Sequence, residues 1–92
     1  MAARSLLDLD VKALLKRLEE VSRVKLPESV IEVSLVRGVL HVRFSYPKGA
    51  EIEVEPLDTK APAFLFRDSE TSEVTALEVV DVDALLKELG LA

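Results

Sequence analysis

The stretch that decides the fold is Ile31-Glu32-Val33-Ser34-Leu35-Val36-Arg37-Gly38-Val39-Leu40-His41-Val42-Arg43-Phe44. Ile31, Val33 and Leu35 alternate with Glu32, Ser34 and Val36, and Leu40, Val42 and Phe44 alternate with His41, Arg43 and Ser45. A period of two sends successive side chains to opposite faces, so each run reads as a half-buried strand. Arg37-Gly38 is a two-residue turn, with glycine supplying the positive φ that hairpin turns need. Such a turn sets Leu35 opposite Leu40, Ser34 opposite His41, Val33 opposite Val42 and Ile31 opposite Phe44. The main apolar set falls on one face, and a one-residue slip would expose it.

Working toward the C-terminus, Tyr46-Pro47-Lys48-Gly49 ends the second strand, and Ile52 and Val54 alternate with Glu51, Glu53 and Glu55 in a third. Folded straight back through a five-residue loop, this strand sets Phe44 against Ile52, Val42 against Val54 and His41 against Glu55. A connection over residues 56–62 with a proline at each end leads to a fourth strand, Ala63–Arg67. The polar turn at 68–72 precedes a fifth strand over 73–80. That turn pairs Phe66 with Val74 and Phe64 with Ala76 on one face. On the other face it pairs Leu65 with Thr75 and Ala63 with Leu77, with Val79 beyond.

Helices close both ends. Val11, Leu14, Leu15, Leu18 and Val21 recur at 3.6-residue spacing, with Lys12, Lys16, Glu19 and Arg23 on the solvated side. Asp10 or Asp8 serves as N-cap, and Pro27 stops the pattern by disfavouring helix in the residue before it. At the other end Asp81 or Asp83 caps a helix whose apolar face is Val82, Leu85, Leu86 and Leu89, and Gly90 ends it. The expected architecture is α+β. It is one domain over 1–92: an N-terminal helical extension over 1–25, a five-stranded, mostly antiparallel meander over 30–80, and a C-terminal helix over 81–90. Both helices are expected on one face of the sheet.

Composition narrows the function classes. The 92 residues are 49% apolar and 32% charged, which describes a globular chain and not a disordered one. With no cysteine there are no disulfides, thiolate metal sites or cysteine nucleophiles. The net charge of −5 argues against nucleic acid held by blanket phosphate neutralisation. No apolar run is long enough for a membrane span or a signal peptide, so the expectation is a soluble, cytoplasmic protein with no membrane partner. Asparagine and glutamine are absent while Glu, Lys and Arg are plentiful, a pattern of thermophile proteins.

Two stretches carry a resemblance. Gly38-Val39-Leu40-His41-Val42-Arg43-Phe44-Ser45 resembles a strand that reads Asp-Ala-Leu-Tyr-Ile-Arg-Leu-Ser in a family of short prokaryotic proteins. Val74-Thr75-Ala76-Leu77-Glu78-Val79-Val80-Asp81 resembles that family's Val-Val-Gly-Ile-Glu-Ile-Leu-Asp. The family is domain of unknown function 2283, and the likeness covers residues 31–83. The chain departs from it in the tight Arg37-Gly38 turn, in His41 where an aromatic is usual, and in the extra first helix. The resemblance implies a small antiparallel-sheet domain and supplies no catalytic residues.

Few residues suggest chemistry. If the third strand flanks the second, Ser34, His41 and Glu55 form a cross-strand row with the residue types of nucleophile, base and orienter, as in a small hydrolase. The competing reading is a solvated sheet face continuing the charge ladder Glu32–Arg43–Glu53, with no oxyanion donors nearby. Glu51, Glu53 and Glu55 lack the loop geometry of a calcium site, and His41 alone cannot build a zinc site, so no metal or other cofactor is expected. Residues 1–25 hold six basic and four acidic residues, against six and thirteen in 26–92. The basic helix lacks the interleaved aromatics that stack on nucleic-acid bases.

The favoured function is a non-enzymatic, self-associating interaction or regulatory module, with room for a further protein partner. The fourth and fifth strands are apolar on both faces, and two short helices cover only one. Leu65, Leu77 and Val79 are the expected homo-oligomer interface, since exposed apolar patches usually mark one.

Overall fold

The computed structural model describes residues 9–51 and 53–92. The alternative cap Asp8 and the strand residue Ile52 lie outside the described residues. The elements run α1 (Val11–Ser22), β1 (Glu32–Val36), β2 (Val39–Arg43), β3 (Glu53–Pro56), β4 (Ala63–Arg67), β5 (Val74–Val79) and α2 (Val82–Glu88). The architecture is α+β, with a five-stranded antiparallel sheet. Among the described residues no helix is long and apolar enough to cross a membrane.

The first hairpin pairs as its alternation requires: Val33 opposite Val42, Ser34 opposite His41, Leu35 opposite Leu40. Arg37 and Gly38 both hold positive φ, 52° and 81°, the pattern of a type I′ turn. Beyond it the meander fails. The spatial order is β1-β2-β5-β4-β3, so β5 takes the place beside β2 and β3 lies at the far edge. Leu40 faces Val79 and Val42 faces Leu77, while Val54 faces Phe66 on β4. The cause lies in the strands' polarity. Thr75, Ala76, Leu77 and Val79 are all buried, so β5 satisfies two neighbours and two faces at once. A strand bearing Glu53 and Glu55 suits an edge, where charged side chains also discourage pairing with other chains.

The connection from β2 to β3 therefore crosses the ends of β5 and β4, and Asp68 holds it there. This side chain is only 2% exposed and accepts from the backbone amides of Lys48 (2.8 Å), Gly49 (3.1 Å) and Glu70 (2.9 Å). A Cβ on Gly49 would meet Ser69 Oγ and Glu70 Cγ at 2.8 Å, so a larger residue there would require those two exposed side chains to shift.

The β4–β5 register also differs from expectation, by two residues. Phe66 faces Ala76, Leu65 faces Leu77 and Ala63 faces Val79, with a bulge between Phe66 and Arg67. A shift of two keeps every side chain on its face, so the hydrophobic pattern could not detect it.

Both helices pack on the face of Leu40, Val42, Ala63, Leu65, Leu77 and Val79, all of them buried. Leu14, Leu15 and Leu18 of α1 and Val82, Leu85 and Leu86 of α2 fill that core. Asp10 accepts from the Ala13 amide and Asp81 from the Ala84 amide, as N-caps do. The helix α1 ends before the proline does its work. Arg23 adopts a left-handed conformation and closes it at Ser22, which leaves Val21 39% exposed.

Candidate functional site

The sheet has a second face, and among the described residues no helix covers it. Three cross-strand rows define it by register. The first is Val36 opposite Val39, with Val80 next along. The second is Ser34–His41–Glu78–Phe64–Pro56, and the third is Glu32–Arg43–Ala76–Phe66–Val54. Val36 is 62% exposed, Val54 49% and Val80 43%. Phe64 and Phe66 are half-buried and belong to no part of the core cluster. The His41 ring sits 6.4 Å from the Phe66 ring, in the space that the small Ala76 leaves between their strands.

The interface expected at Leu65, Leu77 and Val79 is thus corrected, because each is fully buried beneath the helices. The sheet presents the opposite set, Phe64, Phe66 and Val54, to the outside. Apolarity on both faces of β4 made the two sides equivalent in sequence. Only the docking of α1 and α2 distinguishes them.

The candidate catalytic row is also corrected. Ser34 does face His41, but the neighbour of His41 on its other side is Glu78. Glu55 lies three strands from His41, faces Leu65, and is paired to Arg67 at 3.0 Å. Among the described residues no hydrogen bond joins Ser34, His41 and Glu78, so the geometry holds no assembled relay for nucleophilic attack.

The best-built polar cluster borders this face. Arg43 binds both oxygens of Glu51, at 3.0 and 3.2 Å, and also donates to the Ser45 carbonyl. The Thr75 hydroxyl donates to Glu51. Tyr46 packs near the guanidinium, 5.9 Å from its carbon to the ring centre, and its hydroxyl donates to Glu32. The Arg43 hydrogen bonds hold the Glu51 carboxyl below the ordinary carboxylate range, against the opposing effect of burial, and Thr75 adds to the lowering. The same contact raises the Arg43 guanidinium. The ladder expected through Arg43 therefore turns to Glu51, from the crossing loop.

With Glu51 held by Arg43 and Thr75, and Glu55 by Arg67, these two carboxylates are committed to ion pairs. Among the described residues no group of three or more acidic or histidine side chains is placed to hold a metal ion.

Sequence reasoning missed three groups: Glu78 beside His41, Glu51 against Arg43, and the buried Asp68. The first two depend on strand order. The third carries a legible signal, since Asp68 opens an Asp-Ser-Glu sequence and its carboxylate takes the Glu70 amide two residues on, a local turn of known type. No protein-family model matches this chain, and neither a curated protein nor a solved structure is significantly similar to it.

Proposed function

We propose that this protein is a non-enzymatic module that self-associates through the open face of its sheet, with a second copy as the occupant. The observation that carries the reading is a sheet face that no helix covers among the described residues, with Val36, Val39, Phe64, Phe66 and Val54 on it. Val36 and Val54 are exposed and Val39, Phe64 and Phe66 half-buried, and contiguous apolar surface of this kind is usually an interface.

The face is self-complementary in charge. His41 and Glu78 are direct cross-strand neighbours, and Glu78 makes no hydrogen bond or ion pair among the described residues. A two-fold axis between them would set His41 of each protomer over Glu78 of its partner, the reciprocal contact an isologous dimer uses. Five strands about 4.8 Å apart, with five residues of about 3.4 Å each, project roughly 400 Å². That is below the ~800 Å² per partner of a standard interface, so the expected dimer is a weak one. The likeness to domain of unknown function 2283 adds a sheet-domain precedent and no active site.

Sedimentation velocity across the micromolar range tests the reading. The expected result is a concentration-dependent dimer that Phe64→Glu reduces to a folded monomer. A chain that stays monomeric at high micromolar concentration overturns it, and so does a dimer indifferent to Phe64→Glu and Phe66→Glu.

A further inference from the structure

On the helical side of the molecule, a groove of about 640 Å³ lies between α1 and the chain leading from it into β1. Its apolar lining includes Leu15 of α1, Leu26 and Val30 of the returning segment, and Val33 of β1. Glu19 makes this shape. Its carboxylate accepts from the Leu26 amide at 2.7 Å, drawing the segment back along the helix.

The rim is basic. Lys12 and Lys16 stand one turn apart on α1, and Lys25 lines the same groove from the other wall. All three are exposed. The wall's acids are Glu19, engaged by the Leu26 amide, and Glu28. In sequence Lys12 and Lys16 belong to a solvated helix face, and Lys25 lies beyond the helix end. The fold gathers them around an apolar floor, in a chain whose net charge is −5.

We infer that this groove binds a long-chain carboxylate, with its alkyl chain against Leu15, Leu26, Val30 and Val33 and its head among Lys12, Lys16 and Lys25. The volume falls within the roughly 300–1,000 Å³ of small-molecule sites, which share this mixture of an apolar lining and a few polar groups. A partner helix fits poorly. The α1 wall from Val11 to Glu19 spans about 12 Å, which leaves no room beyond the single i to i+7 span of about 10.5 Å that helix-in-groove recognition uses. A flexible alkyl chain needs no such length, and three ammonium groups supply the charge complement of its head.

The test is a methyl-resolved NMR titration with sodium decanoate below its micellar range, with decanol and decyltrimethylammonium as controls. Saturable one-to-one binding is expected, with shifts confined to Val11, Leu15, Leu26, Val30 and Val33. The double variant Lys12→Glu/Lys16→Glu should weaken it at least tenfold, and Phe64→Glu should leave it unchanged, so its fate is separate from that of the sheet-face dimer. Non-saturable binding, equal affinity for the cationic control, or shifts centred on Phe64 and Phe66 would overturn the inference. So would Overhauser contacts from Leu6 or Leu7 to Leu26 in the ligand-free protein, because the groove would then already be filled.

Discussion

Replacing Glu51 by alanine tests the crossing loop and the strand order together. Arg43 and Glu51 keep only 16% and 20% of their side-chain surfaces in water, and two hydrogen bonds join them in a fork. An exposed ion pair is worth about 0–1 kcal/mol, while breaking a fully buried one costs about 3–5 kcal/mol because the surviving charge is stranded. This pair lies between those limits. Its survivor, Arg43, retains the Ser45 carbonyl at 3.1 Å, and Thr75 retains the Phe66 carbonyl at 3.2 Å. We therefore expect Glu51→Ala to cost roughly 2–3 kcal/mol, allowing for partial solvation and these remaining partners.

For a domain of this size each kcal/mol moves the melting midpoint by about 4–8 °C, so the variant should melt roughly 10–20 °C lower. Urea unfolding of the wild type, Arg43→Ala, Glu51→Ala and the double variant completes a cycle whose coupling energy should be about 1–2 kcal/mol. The effect should also depend on pH. A carboxyl whose folded pKa is depressed contributes stability that is fully present above its unfolded value, about 4.3, and lost as pH falls through the folded value. The gap between wild type and Glu51→Gln should accordingly close below about pH 4. Coupling under about 0.5 kcal/mol, the size of an exposed surface pair, would refute the placement of Glu51 and with it the crossing.

Leu77→Ala, at a fully buried position between Val42 and Leu65, should cost about 2.7–5 kcal/mol in the same urea assay, and a cost under 1 kcal/mol would mean that β5 is not central. Asp68→Asn should destabilise the fold at neutral pH and lose that effect in acid. The backbone amides of Glu70, Lys48 and Gly49 hold the Asp68 carboxyl below its usual range, and amide exchange at Lys48 and Gly49 should accelerate in the variant. The absence of asparagine and glutamine, together with the paired Arg43–Glu51 and Arg67–Glu55, leads us to expect calorimetric melting above about 80 °C, and a midpoint near 50 °C would contradict it.

Local interactions were legible and strand order was not. Arg37-Gly38 specifies its own turn, so everything tied to it followed, including the pairing of Ser34 with His41. Both helices followed from spacing and from Asp10 and Asp81. The third strand had no such specification. Its loop contains Pro47 and Gly49, which suit a short hairpin return as well as they suit a crossing. What separates the two is Asp68, some twenty residues on, whose carboxylate rewards the crossing with two loop amides. A reading built on neighbouring residues assigns those amides to the loop itself and never reaches Asp68.

The candidate site inherited that ambiguity. Glu55 was attached to His41 through a pairing that β5 displaced, and Leu65, Leu77 and Val79 were set outside through a face that the helices took. The two errors have one origin, the apolarity of β4 and β5 on both sides. A central strand needs that character, since it has sheet neighbours on both edges and helices over one face. The remaining face then carries Phe64 and Phe66, both half-buried, with neither α1 nor α2 above them. Fully burying a residue such as phenylalanine is worth about 1.5–3 kcal/mol relative to leaving it in water. The residues that place β5 and β4 inside the sheet therefore leave its outer face with burial still to gain, and that burial is what the proposed dimer would supply.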